Sequence, residues 1–298
     1  MKSVLRTSIQ QVRRFNRVVA ERIGAMDERF LGRARPMGEA RLLWEIGSDG
    51  AEVRELRRRL GLDSGYVSRV LRSLEKQGLV SVRAEAEDRR VRRARLTKRG
   101  RAEHAELEQR SNVLAESILE PLSEKQRTAI LAAMVQVERL LEASMVRIAV
   151  EDPTTADARW CIGQYFAELN ARFETGFNPE FSISADAADL TPPAGVLLIA
   201  RLRERPVGCG AVKIHGSGVT ELKRMWIAPV VRGFGLGRRM LKELERYAQA
   251  QGAKVIRLET NRVLKEAISL YRHSGYVEVT AFNDEPYAHH WFEKRLAR

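Results

Sequence analysis

Apolar positions recur at helical spacing from Val12 to about Gly24, and again from Gly38 to Gly47, where Ala40, Leu43, Trp44 and Ile46 share one side. A short helix is predicted over Ala51 to Leu62, with Val53, Leu56 and Leu60 inward and Gly61 near its end. Asp63 then stands as an N-cap for the stretch from Ser64 to Gly78, whose Val67, Val70, Leu71 and Leu74 form one stripe and whose glycine closes it. Beyond Gly78 the pattern changes to two strands, Leu79 to Arg83 and Val91 to Leu96, around a charged tip. Thr97 is placed to cap the next helix. Ser123 and Gln126 make a capping box for a last one, apolar at Ile130, Leu131, Met134, Val137 and Leu141.

The second half is punctuated differently. A strand from Thr220 to Pro229 runs into a glycine-rich loop, and the helix after it keeps Leu236, Met240, Leu241, Leu244, Tyr247 and Ala248 on one side. A buried strand comes next, from Lys254 to Asn261, and the tail from Phe282 to Leu296 reads as a last pair of strands.

Two short helices, a turn and a hairpin make a winged helix-turn-helix pattern. The outer face of the second helix carries Ser64, Tyr66, Ser68, Arg69 and Arg72, side chains able to reach base edges. Charge agrees with this reading. The net charge of +13 divides unevenly, with 30 Lys/Arg against 21 Asp/Glu in residues 1–145 and 22 against 18 in residues 146–298. Residues 65–101 alone hold 12 basic side chains and 4 acids, a density suited to phosphate contacts or a narrow minor groove. A length of 298 residues allows about two domains. Two cysteines, Cys161 and Cys209, make neither a disulfide framework nor a metal site, and His289 and His290, adjacent on a strand, point to opposite faces, so no metal is expected. No apolar run approaches the roughly 20 residues that span a bilayer, and the first residues lack the apolar centre of a signal peptide, so the expectation is a cytoplasmic protein without a membrane partner.

Over roughly residues 5–145 the chain resembles the MarR family of winged helix-turn-helix regulators, in "LEKQGLV" (Leu74 to Val80), "DRR" (Asp88 to Arg90) and "LTKRG" (Leu96 to Gly100). The resemblance implies that Ser64, Tyr66, Ser68, Arg69 and Arg72 lie along a recognition helix on double-stranded DNA. It also implies that Asp88 and Arg90 brace and extend a wing whose tip carries Arg89 and Arg90. The first and last helices would form a homodimer interface, setting two recognition helices about one DNA turn apart over a pseudo-palindromic operator.

The stretch "VVRGFGLGRR" points to a different chemistry. Glycines at 233, 235 and 237, hemmed in by arginines, suit backbone laid against phosphates at a helix N-terminus. The loop lacks the Gly-Lys-Ser/Thr ending of a P-loop, and its glycine spacing and context do not fit a dinucleotide fingerprint. Arg232-Gly233-Phe234-Gly235-Leu236-Gly237 matches the Arg/Gln-x-x-Gly-x-Gly/Ala signature of the GNAT superfamily of N-acetyltransferases, and "EAISLYRHSGY" (Glu266 to Tyr276) is similar to that family's second acetyl-CoA motif. This resemblance covers about residues 147–298.

Together the two resemblances imply a mainly α winged helix-turn-helix domain over residues 1–145. An α/β GNAT acetyltransferase fold with a mixed, mostly antiparallel sheet would occupy residues 146–298. Acetyl-CoA would be the co-substrate and an amine, in a small molecule or a peptide, the acceptor. Backbone groups of Met225, Trp226 and Ile227 would pair with the pantetheine arm, and amides from Arg232 to Arg238 would hold the pyrophosphate. Asn261 would contact that arm or a water, and Tyr271 would be the general acid. Glu221 or Glu259 could serve as base, or either could instead pair with Lys223 or Arg257. Asn283, Glu285 and Tyr287 would line the acceptor pocket, facing a wall from Glu168 to Phe181. Three whole-protein readings are open: a bifunctional regulator and enzyme, a regulator whose GNAT domain senses acetyl-CoA or an amine without turnover, and an enzyme that uses the winged helix only to dimerise.

Overall fold

A computed structural model describes residues 2–25, 30–32, 35–85, 88–183, 185–216 and 218–296. The chain divides into two compact units, Met1–Ala133 and Met134–Arg298, and the division falls inside a long helix.

The first unit opens on α1 (Lys2–Arg22), earlier than the apolar repeat from Val12 suggests, with Leu5, Ile9, Val12, Phe15 and Val19 exposed along it. Helix α2 (Met37–Ile46) buries Ala40, Leu42, Leu43 and Ile46. The helix expected from Ala51 begins only at Val53. Ala51 and Glu52 are instead a two-residue strand, β1 (Ala51–Glu52), paired with Ala94 and Arg93, and α3 (Val53–Leu60) comes after it and closes at Gly61. Helix α4 (Ser64–Lys76) starts where Asp63 accepts the Tyr66 amide at 2.9 Å, and it buries Val67, Leu71 and Leu74. Strands β2 (Val80–Ala84) and β3 (Arg92–Leu96) form the hairpin, in register from Val80 opposite Leu96 to Ala84 opposite Arg92, and the sheet order is β1-β3-β2. Thr97 caps α5 (Lys98–Leu119) through the Gly100 amide at 3.0 Å. Ser123 and Gln126 cap α6 (Glu124–Met145) reciprocally: the Ser123 amide donates to Gln126 Oε1 at 2.9 Å, and Ser123 Oγ accepts from the Gln126 amide at 3.4 Å. Leu131, Met134, Val137 and Leu141 of α6 are all exposed.

A polar network ties α4 to its neighbours. Arg35 Nη1 donates to Glu39 and to Gln77, each at 2.8 Å, Arg35 Nε donates to Glu103 at 3.2 Å, and Ser73 Oγ donates to Glu39 at 2.6 Å. Burial pushes the Glu39 carboxyl upward, but hydrogen bonds from Ser73 and Gln77 and the Arg35 charge outweigh it and hold the group below its ordinary 4.5. A carboxyl lowered on folding stabilises the fold above its ordinary value, and that stability is lost as pH falls through the folded-state value. Glu39→Gln is therefore expected to melt below wild type at pH 6, with the gap closing below pH 4.5, as thermal unfolding across that range would register.

In the second unit one residue separates α6 from β4 (Arg147–Glu151). Then come α7 (Ala156–Arg172), β5 (Gly195–Leu202), β6 (Arg205–His215), β7 (Val219–Ile227), α8 (Leu236–Ala250), β8 (Val255–Thr260), α9 (Lys265–His273), β9 (Val277–Val279) and β10 (His290–Arg295). The sheet order is β4-β5-β6-β7-β8-β10-β9, antiparallel except for β7 with β8. Its hydrophobic core runs from Val196–Ala200 through Met240, Leu241 and Leu244 to Leu258 and Phe292. The tail contributes one strand where a pair was expected: β10 pairs with β8 and with β9, which lies ahead of the tail.

Strand β7 carries two irregularities. Between the pairs Cys209–Trp226 and Ala211–Lys223 the strand holds one extra residue, and Arg224 sits at φ 55°, a left-handed conformation costly for a side chain other than glycine. The parallel pairing with β8 lasts only from Val219–Val255 to Glu221–Arg257, and beyond it no β7–β8 pairs form.

Candidate functional site

Where the β7–β8 pairing ends, a groove opens that encloses about 1470 Å³ of space continuous with solvent. Its walls are the end of β7 (Met225, Trp226, Ile227), the loop and helix start from Arg232 to Arg238, and side chains of α7 and α9. Gly235 is the N-cap of α8 at φ 79° and Gly233 sits at φ 86°; a Cβ built on either meets no protein atom within 4 Å. The loop therefore presents backbone to open space at the positive end of a 15-residue helix, the arrangement that receives phosphate oxygens. Arginines surround this end. Arg232 Nε donates to the Ile227 carbonyl at 2.7 Å and its Nη2 pairs with Glu168, which also accepts from Trp226 Nε1 at 2.9 Å and from Arg172 Nη1 at 3.3 Å. Burial pushes Glu168 upward, yet its bonds to Arg232 and Trp226 hold it below the ordinary carboxylate range.

A second space of about 720 Å³, also open to solvent, adjoins the groove, and Tyr165, Leu169, Met225, Leu264, Ala267 and Tyr271 line both. Tyr271 is 5% exposed, and burial, helped by nearby Tyr165 and Glu259, pushes its hydroxyl well above the ordinary tyrosine range. Burial likewise pushes Tyr165 up to about 12 against the lowering charge of Arg224. Both hydroxyls hold their protons at neutral pH, as a proton donor at this junction must.

The two carboxylates expected as alternative bases separate here. Glu259 lines the second cavity, with Oε1 taking Lys223 Nζ at 2.5 Å. Glu221 does not line it. Arg257 holds Glu221 Oε1 at 2.7 Å, Lys223 and His215 lie 3.4 Å from Oε2, and the Lys223 and Arg257 charges outweigh its burial and lower its pKa. Strand alternation sets 221, 223, 257 and 259 on comparable faces, so the sequence pattern alone could not choose between the carboxylates.

Of the residues expected around acetyl-CoA, Met225, Trp226, Ile227, Arg232, Gly233, Gly235, Leu236, Gly237, Arg238 and Tyr271 share the groove. Phe234 does not line it; the Arg139 guanidinium lies 5.7 Å from its ring centre. Asn261 lies in the second cavity with both polar ends engaged, Nδ2 donating to the Tyr287 carbonyl at 2.8 Å and Oδ1 accepting from the Val263 amide at 3.0 Å. Glu285 and Tyr287 line that cavity facing Leu169, Phe173 and Phe177, while Asn283 accepts from Trp291 Nε1 at 2.8 Å and does not. Sequence reasoning missed Tyr165 and Arg224 as lining residues. Arg224 left a signal, a second consecutive cation in an apolar strand, since two adjacent side chains cannot both face outward from a covered sheet.

In the first unit Ser64, Arg69 and Arg72 are exposed on α4, whereas Ser68 is half-buried. Tyr66 is half-buried too, because its hydroxyl lies over Gly38, 2.1 Å from where a Cβ there would stand. At the hairpin tip Asp88 Oδ1 accepts the Arg90 amide at 2.9 Å, and Arg89 and Arg90 are exposed; residues 86–87 lie outside the described part. Glu85 holds Arg93 at 2.6 Å and Arg95 at 3.4 Å. Among the described residues no helix is long and apolar enough to cross a membrane.

Comparison with known proteins decides the family. The model of the acetyltransferase (GNAT) family matches residues 163–276, and that of the MarR family matches residues 34–91. An IAA acetyltransferase of Azospirillum brasilense is 35% identical over 134 residues, which are 45% of this chain and 85% of that protein. The chain belongs to the GNAT acetyltransferase family. Its GNAT segment lies after a MarR-family winged helix, so the molecule is a MarR–GNAT fusion. An uncharacterized N-acetyltransferase of Schizosaccharomyces pombe is 35% identical over 101 residues, 33% of this chain and 58% of that protein. A crystal structure of Streptococcus pneumoniae FabT in complex with DNA is 24% identical and covers 47% of this chain and 97% of that one, with a TM-score of 0.39. The mixed, mostly antiparallel seven-stranded sheet is the GNAT fold of the second unit.

Proposed function

We propose that the protein is a bifunctional transcriptional regulator and acetyl-CoA-dependent N-acetyltransferase, with residues 1–145 binding DNA and dimerising and residues 146–298 carrying the transfer. The observation that carries the enzymatic half is the meeting of two cavities at Tyr271, one against the glycine loop and one holding a carboxylate. The amides from Arg232 to Arg238 hold the pyrophosphate and the freed edge of β7 from Met225 to Ile227 pairs with the pantetheine arm, which turns the thioester toward Glu259. When bound, acetyl-CoA supplies an acyl group already activated as a thioester. What remains is to place an uncharged amine against it and to manage two protons. Glu259 takes one proton from the entering ammonium; the nitrogen, now uncharged, bonds to the acetyl carbon, the carbon–sulfur bond breaks as Tyr271 gives its proton to the departing sulfur, and Tyr271 recovers a proton from the acylated nitrogen. Glu221, outside the cavity and held by Arg257, keeps Lys223 in place between the two carboxylates. Free-thiol release from acetyl-CoA with an amine present tests this half.

The regulatory half rests on the exposed arginines of α4 and of the wing. Arg69 and Arg72 sit on the face of α4 away from its buried stripe, and Arg89 and Arg90 stand at the tip. The exposed apolar stripes of α1 and α6 support a homodimer, hence two recognition helices over a pseudo-palindromic operator. DNA affinity is expected to fall linearly with salt on logarithmic axes, at a slope of about −0.9 per phosphate neutralised. Arg90→Ala should make that slope shallower by about one phosphate contact. Fluorescence anisotropy across a salt series would measure both, and salt-independent binding would remove the regulator claim.

A further inference from the structure

We propose, resting on the acetyl-transfer reading of the site, that the cavity beside Tyr271 takes a compact monoamine with an aromatic body, its amine on Glu259 and its ring against Phe173, Phe177 and Tyr287. The amine position comes from an unpaired oxygen. The Glu259 side chain is 10% exposed, and while Oε1 is held by Lys223, Oε2 is buried with no hydrogen-bond partner among the described residues. A buried carboxylate oxygen without a donor is costly, and an ammonium group entering the cavity supplies one.

Charge limits the acceptor to one amine. The cavity's other carboxylate, Glu285, is spent on tying its own loop to the segment at Ser182–Ile183, accepting from Ser182 Oγ at 2.9 Å, the Ile183 amide at 2.6 Å and the Tyr287 amide at 3.3 Å. Lys223 and Arg224 already balance the charges of Glu259 and Glu285 in the same lining, so one ammonium leaves the cavity positive and a second cationic group would meet repulsion without a receiving carboxylate. Arg224 braces the wall: it donates to the Ala185 carbonyl at 3.0 Å and lies 4.6 Å from the Phe166 ring centre.

The body of the acceptor is set by three rings. Phe177 and Tyr287 stand 4.9 Å apart between centroids, Phe173 and Tyr287 5.7 Å, and Phe173 and Phe177 5.8 Å at a near-perpendicular 87°. Faces and edges at these spacings extend naturally to a fourth ring, which an alkyl chain of equal length cannot reproduce. The junction at Met225 and Tyr271 then lies on the path from this amine to the groove.

The test is calorimetric titration of the full chain, with and without coenzyme A, using 2-phenylethylamine, n-hexylamine, spermidine and L-phenylalanine, with thiol release from acetyl-CoA measured in parallel. 2-Phenylethylamine is expected to bind at least tenfold more tightly than the other three. Phe177→Ala should bring it down to the level of n-hexylamine. Glu259→Gln should weaken both monoamines at least tenfold while leaving coenzyme A affinity unchanged. Equal or tighter binding of spermidine or of the amino acid, an unchanged aryl-to-alkyl ratio in Phe177→Ala, or no binding of any amine would overturn the proposal. Turnover of spermidine or the amino acid in preference would sink this proposal and keep the acetyl-transfer reading; binding in the expected order without thiol release would do the reverse.

Discussion

Gly235→Val is expected to abolish acetyl-CoA binding, raising Kd by at least a hundredfold, while the protein stays folded. Two effects of the substitution act at different places. A Cβ built there meets no protein atom within 4 Å beyond its chain neighbours, so the side chain starts into open space and α8 is expected to stay folded. The residue holds φ 79°, a conformation costing an L-residue about 1–2 kcal/mol, and a β-branched one at the upper end, so a modest fall in Tm is expected. The side chain enters the open space beside a loop that lines the groove, so binding carries nearly all the effect. Calorimetry with acetyl-CoA beside thermal unfolding separates the two. Unchanged affinity would move the coenzyme site away from this loop.

Tyr271→Phe should lower kcat by about a hundredfold, at the low end of what a positioned proton donor contributes, with acetyl-CoA affinity and Tm close to wild type. The ring is retained in the same packing, against Tyr276 at 5.8 Å and Phe292 at 6.1 Å, so only the hydroxyl is lost. Burial sets the sign of the pH dependence. A tyrosine pushed above its ordinary 10 keeps its proton to higher pH, so the wild-type profile should show no loss of rate from Tyr271 as pH rises toward 10. A falling limb well below that value would mean that another group supplies the proton.

The readable parts of the chain were those where one residue type has one physical reason to stand where it does. Asp63 before α4, Thr97 before α5 and the Ser123–Gln126 pair all cap as their spacing requires, because a capping side chain acts on backbone three residues away and needs no tertiary context. The glycines at 233 and 235 were legible for the same local reason. What depended on distant partners was not. Ala51 and Glu52 form a strand only because β3 offers an edge 43 residues later, opposite Ala94. The tail reads as two strands by alternation, yet its partner is supplied by Val277–Val279 ahead of it. The choice between Glu221 and Glu259 turned on the early end of the β7–β8 pairing and on the extra residue around Arg224, neither of which leaves a period in the sequence. Arg224 itself takes a backbone conformation that its residue type disfavours, and no propensity would place it there.

The most direct test of the central claim is free-thiol release from acetyl-CoA by the wild-type 298-residue chain, offered a panel of small amines, amino acids and peptides. Turnover that needs both the protein and an amine, and that saturates in each substrate, is the result predicted by two cavities meeting at Tyr271. Tight calorimetric binding of acetyl-CoA with no thiol released by any member of the panel would contradict it, and would make the GNAT domain a sensor attached to a MarR-family winged helix.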